Sequence, residues 1–264
     1  MHDFNYKNVS SIDDALGAHK SAQDATYLAG GQTLLPTLKQ RLAQPSDVID
    51  LSGLGDLNFV NIGDAIVIGA MTPHAVVASS GELGQALPAL ADLAGEIGDP
   101  QVRNRGTIGG SIANNDPAAD YPSACLALNA TITTDRRDIT ADEFFSGMFD
   151  TALEEGEIIT KVSFPIPEAA AYMKFPNPAS RYALVGVFVA KTGSEVRVAV
   201  TGAGEDGVFR ATELEDALSN NFSPDSLSNI TISPDGLLSD IHAQNDYRAS
   251  LIVTMAKRAV ASIS

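Results

Sequence analysis

Two short glycine loops, Ala29-Gly30-Gly31-Gln32-Thr33 and Thr107-Ile108-Gly109-Gly110-Ser111, constrain this chain more than any other feature. Paired glycines let the backbone enter conformations closed to residues with a Cβ, and they let successive N–H groups converge on one anionic oxygen. Each loop adjoins an apolar run, residues 25–29 before the first and Ile112-Ala113 after the second, which places each at a strand edge rather than in a linker. Thr33 stands where it can cap a short helix over residues 33–41, with Pro36 in its first turn and Lys39 and Arg41 at its C-terminal end. A phosphate at that N-terminus meets free N–H groups and a favourable helix dipole. Either loop alone reads as a tight turn, whereas the two together predict a grip on a pyrophosphate.

The 264 residues suffice for a sizeable core and for two domains. The net charge of −16 argues against nucleic acid and against an anionic membrane as partner, because both select clustered Lys and Arg. Backbone N–H groups can still hold a dinucleotide without net positive charge. The single cysteine, Cys125, lies in the apolar stretch 124–128 and reads as a core residue, which excludes a disulfide framework and a four-cysteine iron–sulfur cluster within this chain. The N-terminus lacks a basic region followed by an apolar one, and no eighteen-residue apolar run occurs, so the expected location is the cytoplasm.

Periodicity gives an α+β organisation. Ser10 and Ser11 open a helix through Ala18, and strand 25–29, helix 33–41 and strand 47–51 make a small βαβ unit. From Phe59 the pattern turns antiparallel, with a hairpin over 59–62 and 65–69, a helix from Thr72-Pro73 and another from Pro88 to Ile97. Pro165-Ile166-Pro167 marks a boundary. The expectation is a first domain over residues 1–165, with subdomains of about 1–55 and 56–165, and a smaller α+β domain over 166–264. In the latter, 182–190 and 195–200 form a hairpin, a helix follows from Thr212, and Asp246 caps a last helix with Leu251, Ile252, Met255 and Ala259 on one face.

His2, His19, His74 and His242 are scattered, with no partner at metal-ligand or dyad spacing, and are read as surface or capping residues. No nucleophile elbow, Walker loop or paired-carboxylate motif is present. If the protein is an enzyme, a bound cofactor brings the reactivity.

The first loop resembles the first FAD loop of the flavin-binding medium subunit of the molybdenum hydroxylases, the group of xanthine dehydrogenase and aerobic carbon monoxide dehydrogenase. Residues 107–111 with the tail Ala113-Asn114-Asn115-Asp116-Pro117-Ala118-Ala119-Asp120 resemble that family's second loop, and 174–182 resemble its C-terminal domain. The resemblance implies that Ala29, Gly30, Gly31, Gln32, Thr33 and Leu34, together with Thr107, Ile108, Gly109, Gly110 and Ser111, hold FAD, the backbone N–H groups of both loops gripping its pyrophosphate. It implies that Asp120 accepts from a ribose or ribityl hydroxyl, that Ile97 makes an apolar contact to the flavin and that Lys174 lies near it. Gln32 stands where many relatives have His, and Asn114-Asn115 replaces a commoner pairing. The division of labour so implied puts a molybdenum cofactor on a large partner subunit and [2Fe-2S] clusters on a small one, in a dimer of heterotrimers. Electrons then reach a non-covalent FAD on this chain and pass to an external acceptor. A self-contained flavin oxidase of the same wider fold and a non-redox nucleotide-binding module are the alternatives, and the substrate stays open.

Overall fold

A computed structural model of the chain describes residues 1–263. The first unit runs β1 (Asn5–Asn8), α1 (Ile12–Ser21), β2 (Ala25–Leu28), α2 (Leu34–Lys39) and β3 (Asp47–Asp50). The three strands form a parallel sheet in the order β1-β3-β2, so the expected β2-α2-β3 crossover is present. The strand β1 escapes a pattern search because its residues Asn-Tyr-Lys-Asn are exposed on both faces. Ser11 caps α1 by accepting from the Asp14 N–H at 3.1 Å. Thr33 does not cap α2: its backbone is already helical and its side chain accepts no cap bond, while the Thr37 hydroxyl donates to the Thr33 carbonyl at 2.9 Å.

The second unit holds β4 (Val60–Ile62), β5 (Ala65–Gly69), α3 (His74–Ser79), α4 (Gly81–Ala86), α5 (Pro88–Gly95), α6 (Pro100–Arg105), α7 (Ile108–Asn114) and α8 (Tyr121–Ala127). It continues with β6 (Thr131–Thr134), β7 (Asp138–Thr140), α9 (Ala141–Phe144), β8 (Phe145–Gly147), β9 (Asp150–Thr151) and β10 (Ile159–Pro165). Five strands pair antiparallel in the order β4-β5-β10-β6-β7, and α3, α5, α7 and α8 pack their apolar faces on Ile66, Ile68, Val162 and Phe164. The second glycine loop is therefore no strand edge. Thr107 caps α7 by accepting from the Gly110 N–H at 3.1 Å, and the N–H groups of Ile108 and Gly109 donate to Thr72 and Ala70 carbonyls at 3.1 and 2.9 Å. Those bonds start a helix where the glycines themselves disfavour one.

The third unit is an antiparallel meander of β11 (Ala169–Pro176), β12 (Ala183–Thr192), β13 (Glu195–Gly204) and β14 (Gly207–Arg210), followed by α10 (Thr212–Asn220) and α11 (Asn245–Ile263). Strand β12 is buried on both faces: Val185, Val187 and Val189 face α10 and α11, while Phe188 and Ala190 join the core around α5 and α8. The meander is thus a wall shared by two cores. Asp246 lies inside the first turn of α11 rather than capping it. Cys125 is fully buried in α8, and burial pushes its thiol pKa far up.

Candidate functional site

A cavity of about 720 Å³ opens where the three units meet, walled by the β2–α2 loop, His74 on α3, Val102 on α6, Gly110 on α7, Asp120 and Tyr182. That volume is in the range of ligand pockets. Both glycine loops meet here because Gly30 touches the end of α6: a Cβ at Gly30 would stand 2.2 Å from the Arg105 carbonyl oxygen and 2.6 Å from Gly106 Cα. Gly31 next to it has φ of +72°, which glycine adopts without strain.

The two loops present different chemistry. Among the described residues, no acceptor engages the N–H groups of Gly30, Gly31, Gln32, Thr33 or Leu34, and all five residues line the cavity. They form an array of donors suited to an oxyanion. In the second loop the N–H groups of Ile108, Gly109, Gly110 and Ser111 all donate within the protein, to Thr72, Ala70, Thr107 Oγ1 and the Thr107 carbonyl. The expectation that both loops offer open backbone N–H groups is corrected for the second, whose N–H groups are engaged within the protein while Gly109, Gly110 and Ser111 line the cavity. The Gln32 side chain turns back on the Gly30 carbonyl at 3.4 Å.

Of the residues singled out in the sequence, Ala29, Gly30, Gly31, Gln32, Thr33, Leu34, Ile97, Thr107, Gly109, Gly110, Ser111 and Asp120 line the cavity. Ile108 does not, because its side chain is wholly buried in the core under α7. Lys174 stands behind Asp120 rather than on the cavity wall, its Nζ at 2.9 and 3.0 Å from the two carboxylate oxygens and 3.1 Å from the Glu96 carbonyl. Tyr172 donates its hydroxyl to Asp120 Oδ1 at 2.5 Å. Asp120 makes no helix-cap bond. Burial raises its pKa, and the Lys174 ammonium and the Tyr172 hydroxyl offset only part of that rise.

Sequence reasoning missed His74, which is 4% exposed and lines the cavity rather than the surface. Burial, then the nearby Arg103 charge, pushes its pKa down to about 4, so the imidazole is neutral at pH 7. Its Nδ1 and the Tyr121 hydroxyl, on rings 5.4 Å apart, are buried polar atoms with no partner among the described residues. The available signal was position: His74 follows β5 and opens α3, a strand-to-helix turn like that of the first glycine loop. Glu157 was missed as well. Its carboxylate is fully buried in the loop before β10, where it takes two Arg137 bonds at 3.0 Å, the Thr134 hydroxyl at 2.7 Å and the Glu154 N–H at 2.7 Å.

The Arg137 bonds lead in lowering the Glu157 pKa to about 2 from 4.5. Its contribution to stability is present in full above 4.5 and is lost as pH falls through 4.5 towards about 2. Glu157→Gln should therefore lower the unfolding free energy at neutral pH by on the order of 1.5–3 kcal/mol, read from urea unfolding, with the gap to wild type closing across that acid window. A gap independent of pH would contradict the assignment.

The geometry fits FAD. The donors of the first loop suit its pyrophosphate, Ile97 and Val102 offer apolar contact for a ring, and Asp120 and Ser111 offer polar groups for hydroxyls. Comparison with known proteins gives the same cofactor. Residues 2–167 match the family described as the FAD binding domain in molybdopterin dehydrogenase. The chain is 36% identical to the nicotine 6-hydroxylase medium subunit of Paenarthrobacter nicotinovorans, over 97% of this chain and 95% of that one. It is 34% identical to the glyceraldehyde dehydrogenase medium chain of Sulfolobus acidocaldarius, over 94% and 92%. Among solved structures, a chain of reconstituted CO dehydrogenase from Oligotropha carboxidovorans superposes with a TM-score of 0.89 at 31% identity, over 99% of this chain and 98% of that one. Matched in sequence and fold over nearly its whole length, the chain belongs to the FAD-binding medium subunits of the molybdenum hydroxylase family.

Proposed function

We propose that this chain is the electron-transferring flavin subunit of a three-subunit oxidoreductase, working in the cytoplasm. Substrate is oxidised on a large subunit carrying the molybdenum cofactor, and electrons cross the [2Fe-2S] clusters of a small subunit to reach this one, in a dimer of heterotrimers. The observation that carries the reading is the row of five unengaged N–H groups at Gly30–Leu34 in the wall of a cavity shared by all three units. When bound, FAD supplies the exchange of electrons with an external acceptor. The chain's own residues bind and orient. The first loop would hold the pyrophosphate, Asp120 would accept from a ribose or ribityl hydroxyl, Ile97 would pack on the ring, and Lys174 would keep Asp120 ionised from behind.

The residues also favour a subunit over a complete enzyme. One cysteine, buried in α8, cannot ligate an iron–sulfur cluster. No group of three or more His, Cys, Asp or Glu among the described residues is placed to hold a metal, and no helix there is long and apolar enough to cross a membrane. Neutral His74 is the imidazole in the cavity wall, without a nucleophile or carboxylate bonded to it among the described residues. FAD is accordingly held non-covalently in this reading.

The test mixes purified chain anaerobically with nicotine, glyceraldehyde and carbon monoxide, the compounds in the names of its relatives, and follows bleaching of the flavin. An artificial donor should bleach it directly. Organic or gaseous substrate should bleach it only after the large and small subunits are added. Bleaching by this chain alone would make it a self-contained flavin enzyme, and a colourless chain that takes up no FAD in any assembly would make it a nucleotide-binding module.

A further inference from the structure

The segment Asp116–Asp120 joins α7 to α8 along the cavity, and donors from the C-terminal meander hold it in place. Thr201 donates its hydroxyl to the Pro117 and Ala119 carbonyls at 3.1 and 2.6 Å, and the Gly202 N–H donates to the Pro117 carbonyl at 2.8 Å. At the end of the segment Asp120 meets Tyr172 and Lys174, both on β11 and on one face of it, two residues apart. The Tyr172 hydroxyl reaches Asp120 beside β12 at Gly186, where a Cβ would stand 2.3 Å from that oxygen. Glycine at 186 therefore keeps the route open for this one bond.

We propose that Tyr172 is a positioning residue of the FAD site: by donating to Oδ1 from a slot kept open by Gly186, it fixes the orientation of the Asp120 carboxylate and favours its charged form at the cavity wall. The inference rests on the reading in which Asp120 faces the cofactor. Lys174 holds both oxygens, and the Tyr172 hydroxyl adds a second, directional donor on Oδ1 alone, which distinguishes the two oxygens and fixes the plane of the carboxylate. The charged and titratable groups around Asp120 are Lys174 and Tyr172 from β11, Glu96 after α5, Tyr182 from the loop before β12, and Tyr121 on its own helix. Burial favours the neutral acid, and the two β11 donors oppose it.

Removing the hydroxyl withdraws one of those two donors. In Tyr172→Phe the carboxylate should take up its proton at higher pH, and with the charge lost its hydrogen bond to a cofactor hydroxyl weakens. The experiment follows flavin release from the purified holoprotein by fluorescence between about pH 4 and pH 8. The half-release point of Tyr172→Phe should lie about one pH unit above that of wild type. A 3-fluorotyrosine installed at 172 keeps the hydroxyl and donates more strongly, so it should move the same point downward. If both variants release flavin at the wild-type pH while Asp120→Asn loses flavin throughout, Tyr172 has only a packing role and the inference is overturned. If Asp120→Asn itself retains flavin as wild type does, the reading of Asp120 as a cofactor ligand fails instead.

Discussion

Gly30→Ala is expected to abolish flavin binding and to destabilise the apo-protein, although it adds a single methyl group. That methyl would lie 2.2 Å from the Arg105 carbonyl oxygen, 2.6 Å from Gly106 Cα and 2.8 Å from the Arg105 carbonyl carbon. All three are backbone atoms, so no side chain can swing aside. The end of α6 is itself tied down, since the Gly106 N–H donates to Val102 and the Gly106 carbonyl accepts from His74 at 2.7 and 2.9 Å. The first loop must then move outward, and its five unengaged N–H groups lose their common focus. Overpacking of this kind costs about 1–3 kcal/mol in the apo-protein. The loss of FAD affinity should be larger, because the donors act only as a set. Gly110→Ala meets softer neighbours, Thr107 Oγ1 at 3.0 Å and Ala29 Cβ at 3.4 Å, and should be intermediate. Gln32→Ala removes a side chain whose one hydrogen bond among the described residues is a 3.4 Å contact to its own loop, so its affinity should stay within about twofold of wild type. Titration of the three purified variants with FAD, beside urea unfolding of each apo-protein, gives the order. Wild-type affinity in Gly30→Ala would show that the loops do not need their close approach.

How much of this was legible in the sequence depended on whether the signal was local. The β2-α2-β3 crossover, the β4–β5 hairpin and the β12–β13 hairpin each carry their pattern within one or two elements, and all three are present. The misses share a different cause. Strand β1 is polar on both faces and is specified by its pairing with β3, 42 positions further along the chain. Residues 108–114 form a helix begun by bonds to Ala70 and Thr72, which no window around the glycines contains. His74 looked like a surface residue because isolated histidines usually are, and its burial follows from how α3 lies against α5 and α6. The site shows the same division. The cavity-lining residues of both loops could be named from their motifs, but which loop has free donors is decided by tertiary bonds. That Asp120 and Lys174 form a pair was invisible for the same reason, the two standing 54 positions apart.

That pair gives Asp120→Ala a larger effect than its motif alone implies. From sequence, the carboxylate is a ligand to a cofactor hydroxyl, and its removal weakens FAD by about 1.5–3 kcal/mol while leaving the fold intact. Its place just before Tyr121-Pro122-Ser123-Ala124 would also suit an N-cap of α8, worth about 1 kcal/mol to the fold and nothing to FAD. The structure sets the cap aside, because Asp120 accepts no cap bond. It also places Asp120 in a buried ion pair, so the variant should lose stability as well. Lys174 has a side chain only 2% exposed, and without Asp120 its ammonium keeps one acceptor, the Glu96 carbonyl at 3.1 Å. The Tyr172 hydroxyl loses its bond as well. Stranding one partner of a buried ion pair costs about 3–5 kcal/mol, so the apo-protein of Asp120→Ala should unfold at markedly lower urea than apo wild type, in addition to losing FAD. The two losses have different remedies. Lys174→Met in the Asp120→Ala background removes the stranded charge and should restore much of the apo stability, since a buried pair replaced by apolar groups is often near neutral. It should restore none of the affinity if Asp120 touches the cofactor. Equal urea midpoints for the single and double variants would show that Lys174 and Asp120 are not energetically coupled, and recovered flavin binding in the double variant would show that Asp120 acts on the site only through the fold.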